Sequence, residues 1–137
     1  MPDFKPVILV VEDHPLIRMS AVALLSEAGF EALEADNADE AIRILESRGD
    51  IKLVFTDIQM PGTMDGIKLT HYIRNRWPPI HLIVASGKTI VNESEFPAGA
   101  RFFSKPYHDH KIVDAINAMI TEPNDGAKVS LCVEERP

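Results

Sequence analysis

Short apolar runs alternate along this chain with stretches in which apolar residues recur at helical spacing. The runs lie at residues 7–11, 30–35, 51–56, 80–85 and 100–103. Unbroken apolar runs of this length are typical of strands that are buried on both faces of a parallel sheet. The pattern therefore predicts right-handed strand–helix–strand units, arranged as one parallel sheet with helices covering both faces.

The second run is weaker than the others because Glu31 and Glu34 interrupt it. Charged side chains are one of the means by which a sheet protects its exposed edge from pairing with other chains. We therefore expect the strand at residues 30–35 to lie at an edge of the sheet.

Residues with strong capping preferences mark where the helices begin. Pro15 suits the first turn of a helix, where a backbone N–H is not needed. Asn37 followed by Glu40 resembles a capping box, in which the side chains satisfy backbone donors at the helix start. Asp65 and Asp109 are predicted to cap the next helix and the last helix.

The stretch between the fourth and fifth runs, residues 88–99, has the least regular pattern. Pro97 blocks a helix interior because it lacks a backbone N–H and its ring clashes with the preceding turn. Any helix in this stretch is predicted to span about one or two turns. From Glu122 the chain becomes polar, so we predict one domain over residues 1–121 and a flexible tail over residues 122–137.

Composition narrows the classes of protein to consider. A chain of 137 residues suits a single domain, and its net charge of −7 argues against nonspecific nucleic-acid binding. No apolar stretch approaches the ~18 residues of a membrane span, and the N-terminus lacks the apolar segment of a signal peptide. Cys132 is the only cysteine, which excludes an internal disulfide and a cysteine metal cluster. We therefore expect a cytoplasmic protein.

Chemically active side chains follow the predicted strands. Glu12 and Asp13 follow the first strand, Asp57 the third, Ser86 the fourth and Lys105 the fifth. Taken alone, Asp57 would be read as a residue that caps the next turn. In a parallel sheet, however, the carboxyl ends of all strands meet at one edge, where such folds carry their chemistry. We therefore expect the five side chains to converge.

The expected chemistry follows from the charges at this edge. Three carboxylates attract a hard divalent cation with oxygen ligands, and Mg²⁺ fits because it binds few carboxylates and bridges to phosphate. The backbone carbonyl of Gln59 is a further candidate ligand. A carboxylate such as that of Asp57 can act as a nucleophile toward phosphorus when a metal and a cation manage the charge. Lys105 and the Ser86 hydroxyl would contact the phosphoryl oxygens.

These motifs together resemble the receiver domain of two-component response regulators, over about residues 6–120. The resemblance rests on Glu12-Asp13, Asp57, Met60-Pro61, Asp65-Gly66, Ser86 and Lys105-Pro106. It implies a flavodoxin-like (CheY-like), three-layer doubly wound α/β fold, with five parallel strands in the order 2-1-3-4-5 and five helices.

The resemblance also implies a role for each matching residue. Asp57 is implied as the phospho-acceptor, and the implied ligands of Mg²⁺, for which Mn²⁺ can substitute, are Glu12, Asp13, Asp57 and the Gln59 carbonyl. Ser86 and Lys105 are implied as the phosphoryl-sensing pair, and Ser86 and Phe102 as the switch. The Lys105–Pro106 peptide is implied to be cis. On phosphorylation Ser86 would move toward the phosphoryl group and Phe102 would rotate inward, which changes a protein-interaction surface.

The implied partners are proteins. A histidine kinase or a histidine phosphotransfer protein would supply the phosphoryl group, and an unidentified protein would receive the signal, without direct contact to nucleic acid or membrane. We expect a stand-alone receiver, because few residues remain after the last helix, although a piece of a longer protein would look the same.

Three features depart from the common family pattern. The loop at residues 61–66 is about one residue longer, so that Thr63 is expected to reshape the mouth of the site, and the segment from Ser86 to Lys105 is about three residues shorter. A stunted fourth helix is therefore expected. Phe102 stands where tyrosine is more familiar, and without a hydroxyl to hold at the surface its ring is expected to face inward even without phosphate.

Two other functions remain open from the sequence. A phosphatase of the haloacid dehalogenase type uses an aspartyl phosphate, but its second aspartate, two residues after the nucleophile, is replaced here by Gln59. A phosphate-independent pseudo-receiver that only binds a partner would share the fold, and the short fourth helix keeps this reading open.

Overall fold

The computed structural model describes residues 5–59, 64–87 and 93–121. In chain order these residues form β1 (Val7–Val11), α1 (Pro15–Glu27), β2 (Glu31–Ala35), α2 (Ala38–Ser47), β3 (Ile51–Asp57), α3 (Gly66–Arg76), β4 (His81–Ser86), a 3₁₀ turn (Glu93–Glu95), β5 (Arg101–Ser104) and α4 (Asp109–Ile120). Within the described part of the chain, only the 3₁₀ turn lies between β4 and β5. The expectation that the helix in this connection is stunted is confirmed for those residues.

The strands form one parallel sheet in the order β2-β1-β3-β4-β5. This confirms the predicted doubly wound α/β fold and places β2 at an edge, as its two glutamates suggested. Because all strands run in the same direction, β1, β3, β4 and β5 deliver their last residues to one edge, here called the carboxyl edge.

The two faces of the sheet bury separate halves of the core. Alternate side chains of β1 point to opposite faces, so that Leu9 joins the cluster under α2 and α3 while Ile8 joins the cluster under α1 and α4. Leu69 and Ile73 of α3 are fully buried in the first cluster. This burial removes apolar surface from water on both faces of the sheet, which is the main favourable contribution to folding.

Most of the predicted helix starts are confirmed. Pro15 is the first residue of α1. The Glu40 N–H donates to Asn37 Oδ1 (2.8 Å), and Glu40 Oε1 accepts from the N–H of Asp36 (2.9 Å). The prediction for Asp65 is also confirmed, since its Oδ1 accepts the N–H of Lys68 (2.9 Å) at the start of α3. The bonds from the N–H groups of Glu40 and Lys68 satisfy backbone donors that the helices themselves leave unpaired.

The prediction that Asp109 caps the last helix is wrong. His108 occupies the cap position with an extended backbone and no side-chain cap bond, and Asp109 is the first helical residue. The carboxylate of Asp109 therefore lies in the first turn of α4, where it interacts favourably with the positive end of the helix dipole.

Three predictions fall on residues outside the described ranges: the longer loop around Thr63, the start of the β4–β5 connection at residues 88–92, and the tail at residues 122–137. Among the residues that the structure describes, no helix combines the length and apolar character needed to cross a membrane.

Candidate functional site

The end of β1 places two carboxylates at the carboxyl edge. Glu12 is only 6% exposed, and its N–H donates to the Ala35 carbonyl on β2 (3.0 Å). Its Oε2 accepts the N–H of His14 (3.1 Å), which holds the side chain over the turn that leads into α1. Asp13 is exposed next to it.

The last residue of β3 is Asp57, whose carboxylate is partly buried. Its Oδ1 accepts the N–H of Ile58 (2.8 Å). The start of α3 lies directly against this turn, because the Gly66 N–H donates to the Ile58 carbonyl (2.7 Å). A Cβ on Gly66 would lie 2.0 Å from the backbone oxygen of Asp57. Only glycine therefore lets α3 begin at this distance from Asp57, a role that the sequence did not reveal.

Lys105 reaches back from the end of β5 into the acids. Its Nζ lies 3.5 Å from Asp57 Oδ2 and 3.5 Å from Glu12 Oε1. Its backbone N–H donates to the carbonyl of Ser86 (2.8 Å), which extends the pairing of β4 with β5 by one residue. The predicted cis peptide between Lys105 and Pro106 is confirmed.

The predicted acid cluster is also formed. Glu12, Asp13 and Asp57 each place a carboxylate oxygen within 4.8 Å of the others. Burial is the main cause that raises the pKa of Glu12; the Asp57 charge also raises it, while the His14 N–H and Lys105 lower it. Three hard oxygen donors at this separation fit a divalent cation of the Mg²⁺ class, which would relieve their repulsion. Gln59 is exposed just beyond β3, and the part of its carbonyl as a ligand stays a prediction.

Ser86 and Phe102 lie on the other side of the carboxyl edge. Ser86 is fully buried at the end of β4, and Phe102 on β5 is 9% exposed. The ring of Phe102 stacks on Phe96, with centroids 5.9 Å apart and planes at 22°. The ring of Phe102 therefore faces inward, and its response to phosphorylation stays a prediction. Phe96 belongs to the short β4–β5 connection, and its neighbour Glu95 accepts a hydrogen bond from His71 Nε2 on α3.

Tyr107 is a site residue that the sequence reasoning missed. It lines a cleft together with Asp57 and Lys105, and its ring meets Phe55 edge to face at 5.9 Å. Burial, followed by the negative charges of Asp109, Glu12 and Asp57, raises the pKa of Tyr107 to about 12. The phenol therefore stays protonated at neutral pH. Its position two residues after Lys105 was the signal available in the sequence.

The same tyrosine borders a second groove of about 260 Å³ along α1. Ile17 and Ala21 of α1 also line both the cleft and this groove. Three large apolar side chains of α1 are exposed to solvent: Leu16 (68%), Ile17 (41%) and Met19 (59%). Of these three exposed apolar residues, Ile17 lies directly beside the phospho-acceptor candidate.

Arg18 is a second residue that the sequence reasoning missed. Its Nη1 donates to the backbone carbonyl of Glu12 (2.8 Å), and its Nε donates to Glu34 Oε1 (2.9 Å). Arg18 is the one cationic residue in α1, which is the signal that could have pointed to it.

Known proteins resemble the chain in sequence. A model of the response regulator receiver domain matches residues 8–117. The response regulator receiver protein CpdR of Brucella abortus is 32% identical over 116 residues, which cover 82% of this chain and 95% of CpdR. A putative response regulator, NtrX-like, of Rickettsia bellii is 32% identical over 111 residues, covering 77% of this chain. The chain spans only 23% of that NtrX-like protein.

A solved structure supports the same grouping. The response regulator protein TrrA of Thermotoga maritima, in complex with Mg²⁺ and BeF, superposes with a TM-score of 0.73 at 26% identity, covering 85% of this chain and 99% of TrrA. Because the receiver-domain match extends over most of the chain, from residue 8 to residue 117, this chain belongs to the response regulator receiver domain family.

Proposed function

We propose that this receiver accepts a phosphoryl group on Asp57 from a phosphohistidine of a kinase or a phosphotransfer protein. The observation that carries the proposal is the position of Lys105 Nζ, 3.5 Å from both Asp57 Oδ2 and Glu12 Oε1, beside three clustered carboxylates. A lone capping aspartate would need neither a partly buried ammonium partner nor two further acids. The arrangement suits a reaction in which positioning and charge neutralisation do most of the work.

In the proposed step, a carboxylate oxygen of Asp57 forms a bond to phosphorus while the P–N bond of the phosphohistidine breaks. The bonding electron pair leaves on the imidazole nitrogen of the donor. The N–H of Ile58 holds the other Asp57 oxygen (2.8 Å), which keeps the carboxylate oriented during the attack. Lys105 neutralises part of the charge that the phosphoryl oxygens bring into the site.

Glu12, Asp13, Asp57 and the carbonyl of Gln59 are the residues proposed to hold Mg²⁺, or Mn²⁺ in its place. When bound, the ion would lower the repulsion between the carboxylates and the phosphoryl oxygens. The carboxylates of this chain supply the hard oxygen donors that such an ion requires.

The exposed apolar face of α1 is proposed as the place where the phosphodonor protein docks. A phosphohistidine must come within bonding distance of Asp57, and α1 lines one side of the cleft that holds this carboxylate. Leu16, Ile17 and Met19 offer apolar surface that a partner helix could cover. A cytoplasmic location is proposed because it gives access to such donors and suits a chain with a single cysteine.

The phosphorylated form is proposed to act through a changed protein-interaction surface. Ser86 would donate a hydrogen bond to a phosphoryl oxygen, and its displacement would alter the packing around Phe102. This change would shift the conformational equilibrium toward the state that binds the unidentified target better. This switch would also reset itself through hydrolysis of the aspartyl phosphate, and we propose no further enzymatic activity.

Acetyl phosphate with Mg²⁺ tests the proposal without any partner protein. Wild type is expected to gain the mass of one phosphoryl group, and Asp57→Asn is expected to gain none because an amide oxygen is too weak a nucleophile. Asp114→Asn, on the exposed surface of α4, is the matched control and should label like wild type. Labelling of Asp57→Asn at the wild-type level would overturn the assignment.

A phosphate-independent binding module is the second candidate, and the burial of Phe102 favours it. A ring that is only 9% exposed has little room left to move inward. If Asp57 labels fully but hydrogen exchange around Phe102 does not change, this second function is supported. A change confined to wild type and absent in Lys105→Ala would support the switch instead.

A further inference from the structure

The side chain of Arg18 braces the turn that carries two of the three acids. It rises from the first turns of α1 and is 19% exposed. Its guanidinium donates two short, charge-assisted hydrogen bonds: Nη1 to the Glu12 carbonyl (2.8 Å) and Nε to Glu34 Oε1 (2.9 Å). Such bonds are about twice as strong as those between neutral groups.

The carbonyl that Arg18 holds belongs to the peptide unit joining Glu12 to Asp13. Fixing the plane of this peptide sets the direction in which the chain leaves Glu12, and with it the positions of both carboxylates. The opposite side of the turn is held by the strand ladder, where the Glu12 N–H donates to Ala35 (3.0 Å). Arg18 therefore completes a frame around the Glu12–Asp13 turn that the sheet alone provides only on one side.

Glu34 anchors the other end of this brace. It lies on the edge strand β2, paired in register with Val10, and its carboxylate is about half exposed at 48%. A surface ion pair of this kind contributes little to stability by itself. Its effect here is geometric, because it holds the guanidinium plane in the orientation that also reaches Glu12. Arg18 contacts the backbone of the acid turn, whereas Lys105 is the cation that contacts the carboxylates.

We infer that Arg18, held by Glu34, is a positioning residue that sets the affinity of the Glu12–Asp13–Asp57 cluster for a divalent cation. The inference rests on the proposed metal site and adds to it two residues outside the ligand set. Residues that orient metal ligands through hydrogen bonds typically change metal affinity by about 10- to 100-fold when they are removed. Since Arg18 acts on a backbone carbonyl, we expect the lower end of this range.

The experiment measures the dissociation constant of Mg²⁺ alone by calorimetry on the full chain. Arg18→Gln is expected to weaken binding about tenfold, and Glu34→Gln by a smaller factor because Arg18 keeps its bond to Glu12. Arg18→Lys should restore part of the affinity, since an ammonium can reach one acceptor but lacks the planar fork that reaches both. Arg43→Gln, an exposed arginine on α2, is the matched control and should bind Mg²⁺ like wild type.

A second readout separates positioning from a merely structural role. The rate of acetyl phosphate labelling is measured against Mg²⁺ concentration for each variant. For Arg18→Gln the half-saturating concentration should rise about tenfold, while the maximal rate at saturating Mg²⁺ stays within about twofold of wild type. Loss of maximal rate with unchanged Mg²⁺ affinity would overturn the inference.

The outcomes also distinguish this inference from the proposed function. If Arg18→Gln weakens Mg²⁺ binding as expected but wild type is never labelled at Asp57, the inference stands and the proposed function fails. If Asp57 labels but Arg18→Gln, Arg18→Lys and Glu34→Gln all bind Mg²⁺ like wild type, the inference fails alone. The two milder variants keep the test valid should Arg18→Gln fail to fold.

Discussion

The carboxyl edge of the sheet has two sides of opposite character. On the acid side, the ends of β1 and β3 carry three clustered carboxylates, and the ammonium of Lys105 pairs with those of Glu12 and Asp57. On the aromatic side, between β4 and β5, the buried ring of Phe102 stacks on Phe96. The acid side concentrates charge in a partly buried place, and the aromatic side removes apolar surface from water.

The two sides therefore contribute differently: the acid side provides the candidate chemistry, and the aromatic side contributes to the stability of the fold. Like charges at short range repel, and burial of Glu12 adds a desolvation cost. On the acid side, Lys105 and the hydrogen bonds to Glu12 and Asp57 offset part of this cost. The aromatic side is neutral and stabilised by packing. Substitutions on the acid side should therefore change binding and chemistry, whereas those on the aromatic side should change stability first.

The largest effect is expected at Gly66, because its close contact with Asp57 matters both for the stability of the fold and for the chemistry of the site. In Gly66→Ala the new Cβ would meet the Asp57 backbone oxygen at 2.0 Å, so that α3 or the end of β3 must shift. We expect unfolding free energy to fall by about 3 kcal/mol and acetyl phosphate labelling to slow, because Asp57 moves. Urea unfolding and labelling rates measure the two effects.

Gly49→Ala is the matched control, because a Cβ at Gly49 meets nothing within 4 Å. It should leave labelling unchanged and alter stability by no more than about 1 kcal/mol, with the sign toward stabilisation. Equal behaviour of the two alanine variants would show that close approach at Gly66 is not what limits the site.

The next effect is expected on the aromatic side. Phe96→Ala removes the ring that stacks on Phe102 and that also contacts the core under α2 and α3. Since Phe96 is only partly buried, we expect a loss of about 2 kcal/mol in unfolding free energy, below the range for a fully buried ring. The dissociation constant of Mg²⁺ should not change, because the acids lie on the other side of the edge.

Phe96→Leu is the control for the aromatic side, since it keeps apolar volume and should lose clearly less stability than Phe96→Ala. A weakened Mg²⁺ affinity in either variant would mean that the two sides of the edge are coupled more tightly than their separate contacts suggest.

The smallest effect is a dependence of stability on pH. Because burial raises the pKa of Glu12, the folded state binds a proton at this group more readily than the unfolded state does. The contribution of Glu12 to stability is therefore complete below its unfolded pKa and is lost as pH rises through the raised, folded value. In a chelator at pH 7, Glu12→Gln should melt at a slightly higher temperature than wild type.

The advantage of Glu12→Gln should disappear in acid, where Glu12 of wild type is protonated. It should reverse in excess Mg²⁺, because wild type then gains stability from a ligand that the variant binds weakly. Thermal melts at several pH values, with and without Mg²⁺, measure both trends. A variant that is less stable than wild type at pH 7 in chelator would mean that the bonds of Glu12 to His14 and Lys105 outweigh its burial.

The acid side could be predicted from the sequence to a large extent. An apolar run followed by a carboxylate predicts a buried strand with an acidic side chain at its carboxyl end. Parallel strands place these ends at the same edge of the sheet. The sequence alone therefore predicts that Glu12, Asp13, Asp57 and Lys105 lie together. The caps at Asn37 and Asp65 could also be predicted, because capping depends only on neighbours within a few residues.

Contacts between side chains or backbone of separate elements were decided by the tertiary structure alone. Arg18 meets Glu34, Phe96 meets Phe102, and Gly66 lies against Asp57, each through packing between separate elements. No local pattern encodes such pairings, because they depend on how helices and loops lie on the sheet. Local periodicity and strand direction thus determined the fold and the acids, while side-chain packing decided what holds those acids in place.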